Sequence, residues 1–236
     1  MQDMTMRAEM PEFPVPTRLR GALEVLTVVL LLPVGGIVGG LTGFVPAAAI
    51  MSVLLPLIAA TLFLRREGLA WRELAFGRRL SFLAVLGFTL LALAGGLGLE
   101  MVAGLSMHAL GLPEADISAF SQLVEGNLGM YLWMLIPVAW GSAAIGEELL
   151  VRGFMQHRLT GMTGPLLGAF LQALIFGLAH FYQGITGIVT TFAIGFAFGL
   201  VYLRSRNLLP LIVAHGLIDT FAMTALYLGH PELLSF

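Results

Sequence analysis

Long apolar runs separated by short polar interruptions make up this chain, and the runs have the length of membrane helices. A bilayer core of roughly 30 Å takes about 20 mostly apolar residues per helix. Seven stretches qualify: 19–41, 46–64, 80–106, 128–158, 164–182, 185–203 and 208–228. The pattern predicts an all-α, polytopic transmembrane helix bundle of about seven spans. Pro33, Pro56 and Pro137 fall inside spans, and the fourth run is long enough to be two helices broken near Pro137. The segment 107–127, MHALGLPEADISAFSQLVEGN, has apolar residues near helical spacing and is expected to lie on the outer surface as an amphipathic helix. Residues 1–18 are too polar for a cleavable signal and read as a cytoplasmic lead, which leaves 19–236 as one transmembrane domain. Glycine pairs at 35–36 and 39–40, and Gly195 with Gly199, predict close helix approach.

Composition names the solvent: 58% of residues are hydrophobic, 11% are charged, and mean hydropathy is +0.93. There is no cysteine, so disulfides, thiolate metal ligands and a cysteine nucleophile are excluded. Any hydrolytic chemistry must then use oxygen, imidazole or water. The net charge of -2 says little, but all 12 basic residues are arginines and their placement is one-sided. They precede or open the first span, fill the link between the second and third, end the fourth and follow the sixth. With seven spans, all lie on one side, which the positive-inside rule makes the cytoplasm. The N-terminus is therefore expected inside and the C-terminus outside, as a multi-pass protein of the cell inner (plasma) membrane. Opposite loops carry Glu114, Asp116, Glu125 and Glu232.

Ionisable groups at membrane depth are costly and default to functional candidates. In EELLVR, Glu148 and Arg152 stand i and i+4 and can pair, while Glu147 is turned about 100° away with its carboxylate free to act as a base. FGLAH places Phe176 and His180 one turn apart, and HGLID does the same for His215 and Asp219. Each motif alone admits an ordinary reading: interfacial anchors, a hydrogen-bonded packing histidine, a self-satisfied His–Asp pair. At about 1.5 Å of rise per residue, however, these groups fall between about 12 and 24 Å from the inner turns, so they can share one pocket. His108, His157 and His230 read as surface residues, and Glu24 and Glu100 as span-end residues that are cheaply solvated.

The ordered set Glu-Glu-x-x-x-Arg, Phe-x-x-x-His and His-x-x-x-Asp over roughly 128–228 resembles the CAAX protease and bacteriocin-processing (Abi) family of intramembrane endopeptidases, relatives of the type II CAAX prenyl endopeptidase. Spans one to three match only in character. The resemblance implies that Glu147 and His180 activate water, that His215 and Asp219 stabilise the oxyanion or bind metal, and that Glu148 and Arg152 support them. Glu147, His180, His215 and Asp219 would be the ligands if zinc is the cofactor. The last position is aspartate here where the eukaryotic enzymes have asparagine, a change that favours metal binding over oxyanion donation. The expected partners are a peptide or membrane-protein substrate and membrane lipid, with no nucleic acid. A non-catalytic scaffold or immunity protein and an ion-coupled transporter are the other classes compatible with buried Glu, His, Asp and Arg.

Overall fold

A computed structural model describes residues 17–234, and among these every regular element is helical. Most of the expected cytoplasmic lead, 1–16, lies outside the described residues. In chain order the helices are α1 (Arg18–Gly40), α2 (Val45–Arg66), α3 (Trp71–Ala75), α4 (Phe82–Ala109), α5 (Ser118–Val124), α6 (Leu128–Thr163), α7 (Pro165–Ala179), α8 (Gly184–Ser205) and α9 (Leu209–Tyr227). Among the described residues six helices are long and apolar enough to cross a membrane: α1, α2, α4, α6, α9, and α8 together with the 3-10 turn that leads into it. The protein is a multi-pass helical bundle.

The fifth apolar run folds as α7, which is only 15 residues long. At 1.5 Å per residue it rises about 22 Å, short of the roughly 30 Å apolar core. Irregular backbone at such depth is tolerated only where protein covers it. Here the 112–117 loop does so: Asp116 donates its backbone N–H to Gln183 O, and Thr186 Oγ1 donates to Pro113 O. The expected surface helix at 107–127 is thus divided between the end of α4, this covering loop and the short α5.

Helix α6 does not break at Pro137. Its winding widens to i→i+5 bonding over Met134–Gln156, and the helix continues to Thr163. A π-type adjustment re-satisfies backbone groups that a proline frees, so one continuous element carries the whole EELLVR motif. Close packing follows the glycines. A Cβ on Gly35 would lie 2.1 Å from Met51 O and one on Gly39 2.2 Å from Ala47 O, both on α2, whereas Gly40 faces open space. Leu64, Leu150, Phe154 and Met155 form one buried cluster, and Phe198, Tyr202, Leu208 and Leu211 another. Large apolar side chains such as Phe82, Leu83, Leu90 and Ile136 point outward, as a lipid-facing surface requires.

One end of the bundle gathers the arginine-bearing segments. Arg78 donates its N–H to Arg206 O, Asn207 Nδ2 to Arg78 O, and Leu208 N to Ala75 O. Deeper, Arg158 meets Glu24 at 3.0 Å and Glu67 at 2.8 Å, while Arg20 meets the same carboxylates at 2.9 and 3.1 Å. Glu24 is therefore not a cheaply solvated span-end residue: it is buried, and protein charges replace the water. His157 likewise sits within α6, half-buried, instead of on a surface loop.

Candidate active site

All six residues singled out by motif line one cavity of about 1460 Å³ between the helices. Glu147, Glu148 and Arg152 come from the π-wound part of α6, His180 from the C-terminal cap of α7, and His215 and Asp219 from α9. Glu148 and Arg152 are fully buried, and Arg152 Nη1 donates to Glu148 Oε1 at 2.8 Å. The second guanidinium arm, Nη2, donates to Gly195 O on α8 at 3.2 Å. Phe176 and Phe198 close over the guanidinium, their ring centres 4.7 and 5.5 Å from Cζ. This caging leaves Arg152 committed to neutralising Glu148 and holding α6 against α8.

His215 joins the network at the same carboxylate oxygen. Its Nδ1 lies 3.0 Å from Glu148 Oε1, and its Nε2 faces Asp219 Oδ2 at 3.7 Å. A carboxylate can only accept, so Nδ1 carries a proton and donates it to Glu148. Glu148 thereby holds the ring of His215 in one orientation, a relation across 67 residues that helical spacing does not predict. His180 is oriented differently. Its Nδ1–H donates to the backbone carbonyl of Phe176 at 2.8 Å, which leaves Nε2 as the nitrogen available to the cavity. That bond is possible because α7 ends at Ala179: the one-turn spacing of Phe176 and His180 becomes a capping contact.

Glu147 is half-buried and makes no hydrogen bond or ion pair among the described residues, while lying within electrostatic reach of Arg152, Tyr182, His215 and Asp219. The two adjacent glutamates thus differ as their positions on the helix imply, one consumed by the arginine and one left free. Zinc would need its donors about 2.0–2.2 Å from a common point. Among the described residues no group of three or more His, Asp or Glu is arranged to hold a metal. Both histidines keep Nε2 toward the cavity, but Glu147, His180, His215 and Asp219 are not gathered around one point as they stand.

Several participants are not in the motifs. Gln172 Nε2 donates to Gly195 O at 3.0 Å, and Gln156 Nε2 to Gly199 O at 3.0 Å. Arg152 and Gln156 are four apart on α6, as Gly195 and Gly199 are on α8, so two polar side chains step along exposed carbonyls. A Cβ on Gly199 would lie 2.5 Å from Gln172 Nε2. The glycine spacing was visible as a packing signal, but its service as an acceptor ladder was not.

Residues 129–221 match the family model described as type II CAAX prenyl endopeptidase Rce1-like. That part of the chain is similar to a CAAX-protease-like domain. The match runs from the start of α6 into α9, takes in all three motifs, and agrees with the 128–228 region identified by resemblance. No curated protein and no solved structure matches the chain. The buried Glu–Arg–His network thus belongs to a region related to a protease family, and the Rce1-like match gives the chain enzymatic potential.

Proposed function

We propose that the protein is an intramembrane endopeptidase of the CAAX-protease type, hydrolysing peptide bonds with a water activated by Glu147 and His180. The observation that carries this reading is the gathering of a free carboxylate, two histidines and an aspartate in one membrane-depth cavity within the Rce1-like region. Peptide hydrolysis without a serine or cysteine nucleophile needs a base for water and a donor for the tetrahedral oxyanion. Glu147 accepts a proton as water attacks the carbonyl carbon, and His180 Nε2 orients that water. His215, held through Nδ1 by Glu148, turns Nε2 toward Asp219 and the oxyanion, to which its imidazolium form donates. As the C–N bond breaks, the proton held by Glu147 passes to the leaving nitrogen. Arg152 and Glu148 act as positioning residues for His215.

The same reading puts the arginine-gathered end in the cytoplasm of a plasma (inner) membrane and the cavity's other end outside, with peptide or membrane-protein substrates entering from lipid. A scaffold would keep the pocket without turnover, and a transporter would move ions through it. Reconstituted wild type and Glu147→Ala, assayed side by side for cleavage of membrane peptides and for ion flux, separate the three. Cleavage that Glu147→Ala abolishes is the expected result; flux without cleavage, or neither, removes the hydrolase.

A further inference from the structure

Carboxylates outnumber cations in the cavity. Among the described residues its wall carries six carboxylates, Glu100, Glu114, Glu147, Glu148, Asp219 and Glu232, against a single guanidinium, Arg152, which Glu148 already neutralises, and His215, held between Glu148 and Asp219. No lysine exists in the chain, and every other described arginine lies outside this wall. Glu100 stands apart from the proposed hydrolytic set. It comes from α4, outside the residues matched by the Rce1-like family, and with Leu97, Met101 and Gly104 it forms the helix face turned to the cavity.

Lack of a partner makes Glu100 unusual. It lies nine residues from the end of a 28-residue helix, about 13 Å along the axis. Counted from Phe82, beside the arginine-bearing link, it is 18 residues or about 27 Å along the axis, near the far margin of an apolar core of roughly 30 Å. Yet it makes no ion pair or hydrogen bond among the described residues. Half-buried and facing a cavity rich in other carboxylates, it lacks a cationic partner among the described residues. The partner must come with what enters the cavity.

Resting on the endopeptidase reading, we propose that Glu100 is a specificity-determining residue that recognises a basic substrate residue, a lysine or arginine side chain flanking the scissile bond. The apolar walls contributed by Leu97, Met101 and Phe221 take the hydrophobic part of the segment, and Glu100 takes the charge. A substrate presenting a carboxylate beside Glu100 meets repulsion, because Arg152 and His215 are already engaged by Glu148.

The test uses the full chain in lipid nanodiscs and apolar helical peptides that differ at one position, carrying lysine, norleucine or glutamate there, with the position scanned along the peptide. Equilibrium binding is measured in a Glu147→Gln background, and cleavage in wild type. At one or two adjacent positions the lysine peptide should bind about tenfold or more tighter than the norleucine peptide, the worth of one charge-assisted hydrogen bond. Glu100→Gln should bring that ratio to about 1, and Glu100→Lys should turn the preference toward the glutamate peptide. An unchanged lysine preference in Glu100→Gln, or none in the Glu147→Gln background, overturns the proposal. Lysine peptides that bind through Glu100 but are never cut by wild type sink the endopeptidase reading and leave cation recognition standing; cleavage indifferent to lysine does the reverse.

Discussion

Two buried charge networks hang from the same helix, and they differ in balance. Toward the inner end of α6, Arg158 and Arg20 alternate with Glu24 and Glu67 in a closed ring of two cations and two anions. One turn and a half earlier, Arg152 meets Glu148, and His215 and Asp219 continue the chain outward into a cavity where carboxylates are in excess. The ring ties α1, the end of α2 and α6 together, and every charge is answered from within. The motif network answers only one of its carboxylates with an arginine. Buried charge alone does not mark a site; buried charge left uncompensated beside a cavity does.

The sharpest break of this comparison removes one arginine from each network. Arg152→Ala and Arg158→Ala each strand buried carboxylate and should cost about 3–5 kcal/mol of stability. Thermal unfolding in detergent measures that loss. Turnover per folded molecule should separate them: Arg152→Ala should lose hydrolysis as His215 loses its support, while Arg158→Ala should keep it. Equal loss of turnover in both would mean that the ring serves the chemistry too.

Asp219→Asn comes next in size. Asp219 faces His215 Nε2 at 3.7 Å, an electrostatic contact longer than a hydrogen bond, so the isosteric amide should lower turnover by no more than about tenfold. Bound zinc, measured by elemental analysis, should be absent from wild type and variant alike. Loss of activity accompanied by loss of zinc would establish the metal route instead.

The legible part of the site was the local part. Glu148 with Arg152, Phe176 with His180 and His215 with Asp219 are one-turn pairs, and helical spacing alone brings their members together. The bond from His215 to Glu148 and the arms of Arg152 and Gln172 on Gly195 O cross between helices, and no periodicity reports them. The ring shows the same division: Arg20 and Glu24 are i and i+4, but Glu67 and Arg158 join from afar, so Glu24 passed for a solvated end residue. Glu100 was placed with it near a span end, and what spacing did not report is that it faces the cavity. Spans were legible from apolar length, except where length misleads: α7 ends early to present His180, and α6 passes Pro137 by rewinding.

A smaller effect contrasts these buried carboxylates with an exposed one. Outside the spans, the Asp116 carboxyl is held below its ordinary value by the hydroxyl and then the backbone N–H of Ser118, both donating to Oδ1. A lowered carboxylate contributes to folding above its ordinary value and loses that contribution as pH falls through the lowered one. An NMR titration of Asp116 should therefore show ionisation persisting below the usual aspartate range, and Ser118→Ala should move it back up. No movement would mean that the cap does not form in solution.

The central claim is that Glu147 is the base and that its neighbour is not. Turnover of one membrane peptide by wild type and Glu147→Gln, with folded yield and peptide binding measured on the same samples, tests it most directly. The amide is isosteric, and Glu147 makes no hydrogen bond or ion pair to lose, so fold and binding should persist. Hydrolysis should fall by about 10²–10⁴-fold, the contribution of a positioned general base. A Glu147→Gln protein that cuts peptide at the wild-type rate would contradict the account.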